Sequence, residues 1–296
     1  MKHLLKITLI LCTASIMANS QTTDLARVEY MVLPFSKSDN SIQRYRALLQ
    51  VPIPLKKDLS KLFVIGLEYR NLDIRIKDVV PFDPDIVSRT QRMEASVGYV
   101  FQPGVAPDWR FGVRALARIN SNFERSAISD DYIYGVAAYA ILDKKDESIP
   151  KPYRWIFGLE YTSTPGRNFP LPIVNYYKEF ANDWTYTLGV PKTNVRYYTN
   201  TSHKDAIQAF VTLDAFFANI QSNLDVNGKT AENISMTLVL AGLGYEHYFT
   251  DHLLFYGYGA YTLNDDFRLR DNERNDIYTI NDQPSFYARA GLKFKF

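Results

Sequence analysis

Apolar and polar residues alternate along much of this chain with a period of two. Between residues 109 and 120 the odd positions are almost all apolar, while the even positions include Arg110, Arg114 and Arg118. Successive side chains of a β-strand point to opposite faces, so this pattern predicts a strand with one apolar and one polar face. The pattern recurs at residues 63–70, 153–162 and 207–217. Runs of about ten residues suit tilted strands that cross a bilayer, because soluble strands average roughly five or six residues.

The alternation predicts an all-β fold, namely a transmembrane antiparallel up-and-down β-barrel with fourteen strands. An even number is usual for single-chain bacterial barrels. The pair of strands that flanks Pro191 has the weakest pattern, and without it the count falls to twelve. The predicted strands are residues 24–35, 41–53, 61–71, 89–101, 109–120, 131–142, 153–164, 171–179, 184–190, 193–199, 206–220, 232–249, 252–267 and 285–296.

The predicted connections alternate between short and long. Short turns are expected at residues 54–60, 102–108, 179–183 and 250–251, and long polar loops at residues 71–88, 120–130, 221–231 and 268–284. The connection 143–152 is an exception: it is long and charged, but its place in the order of strands assigns it to the side of the short turns. Short periplasmic turns opposite long outer loops are typical of outer-membrane barrels, so both termini are expected in the periplasm.

The first twenty residues have the layout of a secretory signal peptide. A basic start with Lys2 and Lys6 precedes an apolar run over residues 7–17, and Ala18 and Ser20 provide the small residues of a cleavage site before residue 21. The apolar run is too short for a membrane-spanning helix, which needs about 20 residues. Residues 1–20 are therefore expected to be removed, which leaves residues 21–296 as one barrel domain in the outer membrane of a Gram-negative-type envelope.

Composition narrows the possible partners. Aromatic residues make up 14% of the chain and charged residues 22%, as expected where one face meets lipid and the other a polar lumen. Without Lys2 and Lys6 the 34 basic residues fall to 32, which equals the 32 acidic residues, so nucleic acid is not an expected partner. Cys12 is the single cysteine and lies in the signal segment, and no cofactor or metal site is predicted. A soluble, secreted β-sandwich or barrel shares the composition and the signal peptide, but would not need strands of this length.

The C-terminal strand carries the most specific pattern in the chain. Arg289, Gly291, Phe294 and Phe296 fit a polar-x-Gly-x-x-apolar-x-apolar ending, which resembles the β-signal that the outer-membrane assembly machinery reads. A terminal strand with a free edge can dock onto another sheet edge by β-augmentation. The assembly machinery and outer-membrane lipid are therefore the expected partners.

The mature chain resembles an uncharacterised family of outer-membrane β-barrel proteins, known as a domain of unknown function. The resemblance spans nearly all of the mature chain and implies location and architecture, with no catalytic residues to carry over. It rests on residues 24–30, 66–69, 170–177, 188–194 and 291–296.

The inward face of the predicted barrel has an excess of arginine. Arg110, Arg114 and Arg118 stand four residues apart, so they would span roughly 27 Å along one strand. The charged residues predicted to line the lumen are Arg44, Arg46, Arg70, Arg110, Arg114, Arg118, Arg154 and Arg289, with Glu68, Glu94, Glu160 and Asp214. Two interpretations remain open. Arg–carboxylate pairs could brace the wall, or the surplus positive charge could draw small anionic solutes through a pore.

Two other classes of function are considered. A lipid hydrolase in the membrane needs a hydroxyl nucleophile beside a histidine base, and the mature chain offers His203, His247 and His252. A dyad of Ser202 and His203 is excluded by their opposite directions on a strand, and His247 and His252 suit the headgroup level better. A surface-interaction role could involve the charged segment 268–276, whose mixed charges equally suit a solvated loop. The chain is not predicted to be an enzyme.

Overall fold

The computed structural model describes residues 24–144, 151–167 and 169–295, and these form fifteen strands joined by turns and loops. The predicted signal peptide, most of the charged connection 143–152 and Phe296 lie outside the described residues. The strands are β1 (Asp24–Pro34), β2 (Ser41–Pro54), β3 (Lys61–Arg75), β4 (Arg89–Phe101), β5 (Trp109–Ser121), β6 (Tyr132–Lys144), β7 (Tyr153–Thr162), β8 (Leu171–Ala181), β9 (Trp184–Val190), β10 (Lys192–Tyr198), β11 (Asp205–Val226), β12 (Lys229–Tyr248), β13 (Leu253–Arg270), β14 (Asp276–Asn281) and β15 (Phe286–Lys295).

Fourteen of these strands close into an antiparallel barrel. Each pairs with its neighbours in the chain, and β15 closes the circle by pairing with both β13 and β1. The short strand β14 pairs with β13 alone and belongs to the connection between β13 and β15. The prediction of fourteen strands is confirmed, including β9 and β10, which meet at Pro191.

Side chains along the wall alternate as predicted between an apolar outer face and an inner face that carries the charged residues. Outward-pointing side chains are largely exposed, and along β2 and β3 they include Tyr45, Leu49, Ile65 and Leu67. Their inward neighbours Arg44 and Glu68 are covered by other side chains. Because the barrel is closed, each wall strand pairs through its backbone N–H and C=O groups with a neighbour on both sides. The chain can therefore cross a membrane without exposing unpaired backbone groups to lipid. No helix within the described ranges has the length and apolar character needed to span a membrane.

The two ends of the barrel differ. One end, here called the turn end, carries the turns after β2, β4, β6, β8, β10 and β12 together with Asp24 and Lys295, the first and last described residues. The other end, here called the loop end, carries the connections after β1, β3, β5, β7, β9, β11 and β13. Two of the loop-end connections contain short 3-10 turns, at Pro84–Val87 and Ser129–Asp131.

The prediction of a long polar loop over residues 221–231 is wrong. Strand β11 continues to Val226 and β12 begins at Lys229, with a turn of two residues between them. Asn227 and Gly228 both have positive φ, 55° and 81°, which is the backbone of the tight hairpin turn that Asn-Gly favours. The carboxylate of Asp225 accepts a hydrogen bond from Gly228 N at 3.0 Å and fixes this turn.

The predicted loop 268–284 is also partly a strand. Strand β13 continues to Arg270 instead of ending at residue 267, and β14 returns along it. The side chains of Arg268 and Arg270 form ion pairs with Asp266 and Asp276, so three of the seven charges in this segment are paired.

The tip of the β11–β12 hairpin crosses the mouth of the barrel at the loop end. Strand β10 pairs with β11 only as far as Thr212, so the edge of β11 beyond that point lacks a neighbour in the wall. Asn219 instead forms a parallel bridge with Ser121 of β5, which is separated from β11 by five strands. We call residues 218–236 the crossing hairpin.

The crossing hairpin is fastened to the β5–β6 connection by buried polar side chains. Asp131, which is fully buried, accepts hydrogen bonds from Asn219 Nδ2 at 2.9 Å and from Gln221 Nε2 at 2.7 Å. Gln221 also accepts from the backbone and side chain of Arg125, at 2.8 and 2.9 Å. Gln221, one of the polar residues that suggested a solvated loop, therefore binds the facing β5–β6 connection.

Candidate functional site

The charged residues predicted for the lumen all occupy inward positions of their strands. Arg44 and Glu68 lie on β2 and β3, and Arg114 faces Glu160 of β7. Arg110 shares the inward parity of Arg114, although its side chain is exposed at the turn end. The structure divides these residues between a closed half of the lumen, lined by β1–β3 and β10–β15, and a more open half along β4–β7.

An ion pair spans the closed half between β2 and β11. Arg44 Nη1 and Nη2 lie 2.8 Å from Asp214 Oδ1 and Oδ2, respectively, and Arg44 Nη2 lies 3.2 Å from Glu29 Oε1. The Tyr287 hydroxyl donates to Asp214 at 2.8 Å. Arg44 is 1% exposed, so water does not compete with these contacts. Such a two-point guanidinium–carboxylate pair holds two distant strands at a fixed separation.

Glu29 links β1 to β13 across the intervening strand β15. The Tyr256 hydroxyl donates to Glu29 Oε2 at 2.6 Å, and Arg289 Nε of β15 lies 3.6 Å from the same oxygen. The tyrosine ring passes over Gly291, where an added Cβ would lie 2.8 Å from the Tyr256 hydroxyl oxygen. Gly291 therefore has a packing role within the folded barrel in addition to the predicted role in assembly.

A second group of charges lies where β2, β3, β4 and β5 meet. Glu68 pairs with Arg46 and Arg70, and Arg92 Nε lies 3.9 Å away. Glu94 pairs with Arg92 and also lies 3.1 Å from Arg118 Nε. Two glutamates thus face four arginines, so this group carries more positive than negative charge.

A third group, near β10, β11 and β12, contains charged residues that the sequence did not single out. Glu246 accepts hydrogen bonds from the Tyr258 hydroxyl at 2.5 Å and from Gln208 Nε2 at 2.9 Å. Arg196 Nη2 lies 2.9 Å from Glu246 Oε2. Arg196 lies on β10, one of the two strands with a weak pattern, and the inward parity of β12 was the signal that could have identified Glu246.

Apolar side chains fill the closed half at the loop end. Phe267 of β13 meets Phe35 edge-on with ring centroids 6.0 Å apart, and it lies 5.8 Å from Phe216 of β11. The crossing hairpin adds Ile220 and Leu224 to this cluster. Other buried members come from the facing strands, and they include Met31, Leu33, Ile42, Leu72, Ile74, Met236 and Leu238. This side of the lumen is therefore packed like a protein core.

The open half retains contact with solvent. Arg114 Nη2 lies 3.4 Å from Glu160 Oε2, and the two side chains are 31% and 25% exposed. Arg154 pairs with Asp143 at 3.0 Å nearer the turn end. Arg110 forms no ion pair with any described residue. We call the inward face of β4–β7, with Arg110, Arg114, Arg118, Arg154 and Glu160, the arginine strip.

A cavity of about 80 Å³ lies at the loop end of the arginine strip, beside the crossing hairpin. Four of its five arginines were not predicted to line the lumen: Arg92, Arg167, Arg270 and Arg274. Arg167 and Arg274 come from connections, where no alternation marks an inward residue. Arg118 of β5 is the fifth arginine that lines the cavity.

The histidines contact acidic and aromatic side chains. His247 Nδ1 lies 2.6 Å from Asp205 Oδ1, and His203 Nε2 lies 3.1 Å from Asp183 Oδ1. His252 packs against Phe294 with ring centroids 6.0 Å apart. The Ser202 hydroxyl donates to Asn200 Oδ1 instead of facing a histidine. These contacts give the lipid-hydrolase hypothesis no serine–histidine pair among the described residues.

The last strand places Phe294 outward and Arg289 inward, as its alternation predicted. Phe296 lies outside the described residues, so recognition of this strand as a β-signal stays a prediction.

The chain was compared with known proteins. No family model matches it, so membership of the uncharacterised family stays a prediction. No curated protein matches either.

Among solved structures, the KdgM porin in complex with disordered oligogalacturonate aligns over 91% of this chain and 99% of its own, at 7% identity and a TM-score of 0.37. OprB of Pseudomonas putida aligns over 92% and 91%, at 10% identity and a TM-score of 0.40. The translocator domain of the autotransporter NalP from Neisseria meningitidis aligns over 100% and 96%, at 11% identity and a TM-score of 0.35. These values are too low for a solute or an activity to be transferred to this chain.

Proposed function

We propose that this chain is an outer-membrane barrel through which small anionic solutes permeate passively along the arginine strip. The loop end faces the outside and the turn end, with both termini, faces the periplasm. The closed barrel with an apolar outer surface supports the membrane location, and the sequence of residues 1–20 supports export.

The observation that carries the proposal is the charge imbalance along the strip and its loop-end cavity. Arg270, which also lines the cavity, forms ion pairs with Asp266 and Asp276. The other seven arginines there face the three carboxylates of Glu94, Asp143 and Glu160, which leaves a surplus of four positive charges. The arginines are Arg92, Arg110, Arg114, Arg118, Arg154, Arg167 and Arg274. Rows of fixed positive charge in a low-dielectric wall favour anions over cations.

A structural role is the second candidate, and the closed half favours it. The Arg44–Asp214 pair, the apolar cluster and the crossing hairpin fix the barrel walls against each other. A barrel filled in this way on one side can act as a rigid membrane scaffold that conducts little.

Single-channel recording in planar bilayers with a salt gradient tests the proposal. We expect the wild-type barrel to conduct with a reversal potential that indicates anion preference. Arg110→Gln and Arg114→Gln should each reduce this preference, whereas Lys57→Gln, which removes the same charge from an exposed turn, should not. Cation preference in the wild type would contradict the role of the arginine strip, and a silent barrel would leave the structural role.

A further inference from the structure

Two loop arginines lie side by side above the cavity at the loop end. Arg167 follows β7 and Arg274 follows β13, and both line the cavity. The stem of Arg274 covers Gly166, because a Cβ on that glycine would overlap Cγ of Arg274. Gly166 and Arg274 have φ values of 67° and 71°, in the left-handed region. Glycine tolerates this backbone without strain, whereas arginine adopts it only when its surroundings impose it.

Both loops are held by hydrogen bonds that do not involve the guanidinium groups. Asp271 Oδ1 accepts from the backbone N–H groups of Glu273 and Asn275, at 3.0 and 2.8 Å. Arg274 N donates to Asp271 O at 3.1 Å, and Arg167 N donates to Thr164 O at 3.0 Å. The two positive groups are therefore placed by rigid turns, and their charged ends are left available for another partner.

Neither guanidinium has an ion-pair partner in the part of the chain that the structure describes. Arg167 and Arg274 line the same cavity, and burial together with the like charge of Arg274 lowers the pKa of Arg167. Arg92 also lines the cavity; its Nη2 is paired with Glu94, but its buried Nε has no hydrogen-bond acceptor among the described residues. The described residues that line the cavity include five arginines and no carboxylate, so the cavity has no compensating negative charge of its own. A buried donor without an acceptor is costly, which favours a bound acceptor there.

We propose that Arg167 and Arg274, together with Arg92, bind a small multivalent oxyanion of the phosphate type at the loop end. A single water needs about 10–15 Å³ of accessible cavity space, so a cavity of about 80 Å³ has room for several waters, or for one tetrahedral oxyanion in their place. Guanidinium groups match the geometry of phosphate oxygens in two-point hydrogen bonds. This site deepens the proposed function, because it lies where an anion would enter the arginine strip from outside.

The enclosure of the site favours a soluble anion over a lipid headgroup. The cavity is lined by inward residues of β4, β5, β11 and β12, including Asn120 and Ser235. A phosphate that carries acyl chains would have to leave the bilayer and enter the lumen to reach it.

Isothermal titration calorimetry of the purified barrel in a phosphate-free detergent buffer tests the site, with inorganic phosphate as the probe. We expect saturable binding that Arg167→Gln and Arg274→Gln each weaken ~10-fold or more, as the loss of a charge-assisted hydrogen bond implies. Arg75→Gln serves as the matched control, because Arg75 is an exposed loop-end arginine of β3 outside the cavity, and it should change affinity less than ~2-fold. Far-UV circular dichroism confirms that each variant is folded.

The outcomes separate this site from permeation. No saturable phosphate binding by the wild type, or an equal loss in the Arg75 variant, would overturn the proposal. Short-chain phosphatidic acid that competes as tightly as phosphate would overturn the preference for a soluble anion. A barrel that carries no current but still binds phosphate would reject the permeation proposal and leave the site standing.

Discussion

Arg44 of β2 and Asp214 of β11 are 170 residues apart in the sequence and form a two-point ion pair inside the barrel, with both N–O distances 2.8 Å. Asp214 also accepts from Tyr287, and Arg44 also contacts Glu29. Arg44, Glu29 and Tyr287 are buried and the Asp214 side chain is only 9% exposed, so the loss of one charge leaves the others without compensation.

Breaking this pair should destabilise the barrel strongly. We expect Arg44→Met to lower the free energy of unfolding by about 3–5 kcal/mol, the range for removing one partner of a buried pair. The double variant Arg44→Met/Asp214→Leu should lose less than the sum of the two single losses. Urea unfolding of the barrel in lipid vesicles measures all three variants, and strict additivity would show that the pair is not coupled.

A side chain at Gly291 should destabilise the folded barrel, because there is no space for it there. Gly291→Ala places a Cβ against the Val28 carbonyl oxygen and the Tyr256 hydroxyl, so we expect a loss of about 1–3 kcal/mol from overpacking. Gly257→Ala is the matched control, because its Cβ would meet only the Phe255 ring at an ordinary 3.7 Å. Unfolding of purified, refolded protein separates this effect from assembly in the cell. Equal stability of the two variants would argue against a packing role for Gly291.

Releasing the crossing hairpin should open the mouth of the barrel. Asp131→Ala removes the acceptor for Asn219 and Gln221, each hydrogen bond to this charged group being worth about 1.5–3 kcal/mol. We expect a larger single-channel current and faster proteolysis of the hairpin. Asp130→Ala changes the adjacent, exposed carboxylate and should leave both unchanged. An unchanged current in the Asp131 variant would mean that the hairpin does not limit passage.

The turn at Asp271 should loosen in acid. Hydrogen bonds from the Asn275 side chain and from the backbone of Asn275 and Glu273 lower the pKa of Asp271. A lowered folded-state pKa gives stability that is present above the ordinary value of about 3.9 and is lost as pH falls through the folded-state pKa. We therefore expect the amide resonances of Glu273 and Asn275 to shift toward disordered values below that point.

Asp271→Asn should produce the same shifts at neutral pH, because the amide is a weaker acceptor than the carboxylate. Asp39→Asn, in the connection after β1, provides a control with the same charge change. Resonances of residues 273 and 275 that do not respond to acid or to the Asp271 variant would exclude the carboxylate as the group that holds the turn.

The alternation of side chains was sufficient to predict the strands of the barrel wall. Within a single strand, the apolar positions identify the outward face and the polar positions the inward face. Residues 109–120 show this, since Arg114 and Arg118 point inward as their parity required. The same reasoning failed at residues 221–231, where Gln221 and Asp225 suggested solvent. Gln221 is polar because it binds Asp131 on a facing connection, and a single sequence does not reveal such distant partners. The Asn227-Gly228 pair was the local signal for the hairpin that was missed.

The candidate site was predictable only in part for the same reason. The inward arginines of β5 follow from periodicity, but their pairing with Glu94 and Glu160 depends on which strands become neighbours. Arg167 and Arg274 come together through two turns with positive φ, and no periodicity governs such positions.

The apolar filling of the closed half has a consequence for how the chain folds. Ile42 and Ile74 of the early strands belong to the same buried cluster as Phe216, Met236 and Phe267, which are synthesised far later. A chain that ends after β10 would therefore expose apolar side chains on both faces of an incomplete sheet. Exposed apolar surface of this kind promotes aggregation. Contacts between such remote segments also slow folding. We therefore expect the first ten strands to be prone to aggregation until the last four strands of the barrel, β11, β12, β13 and β15, have been added.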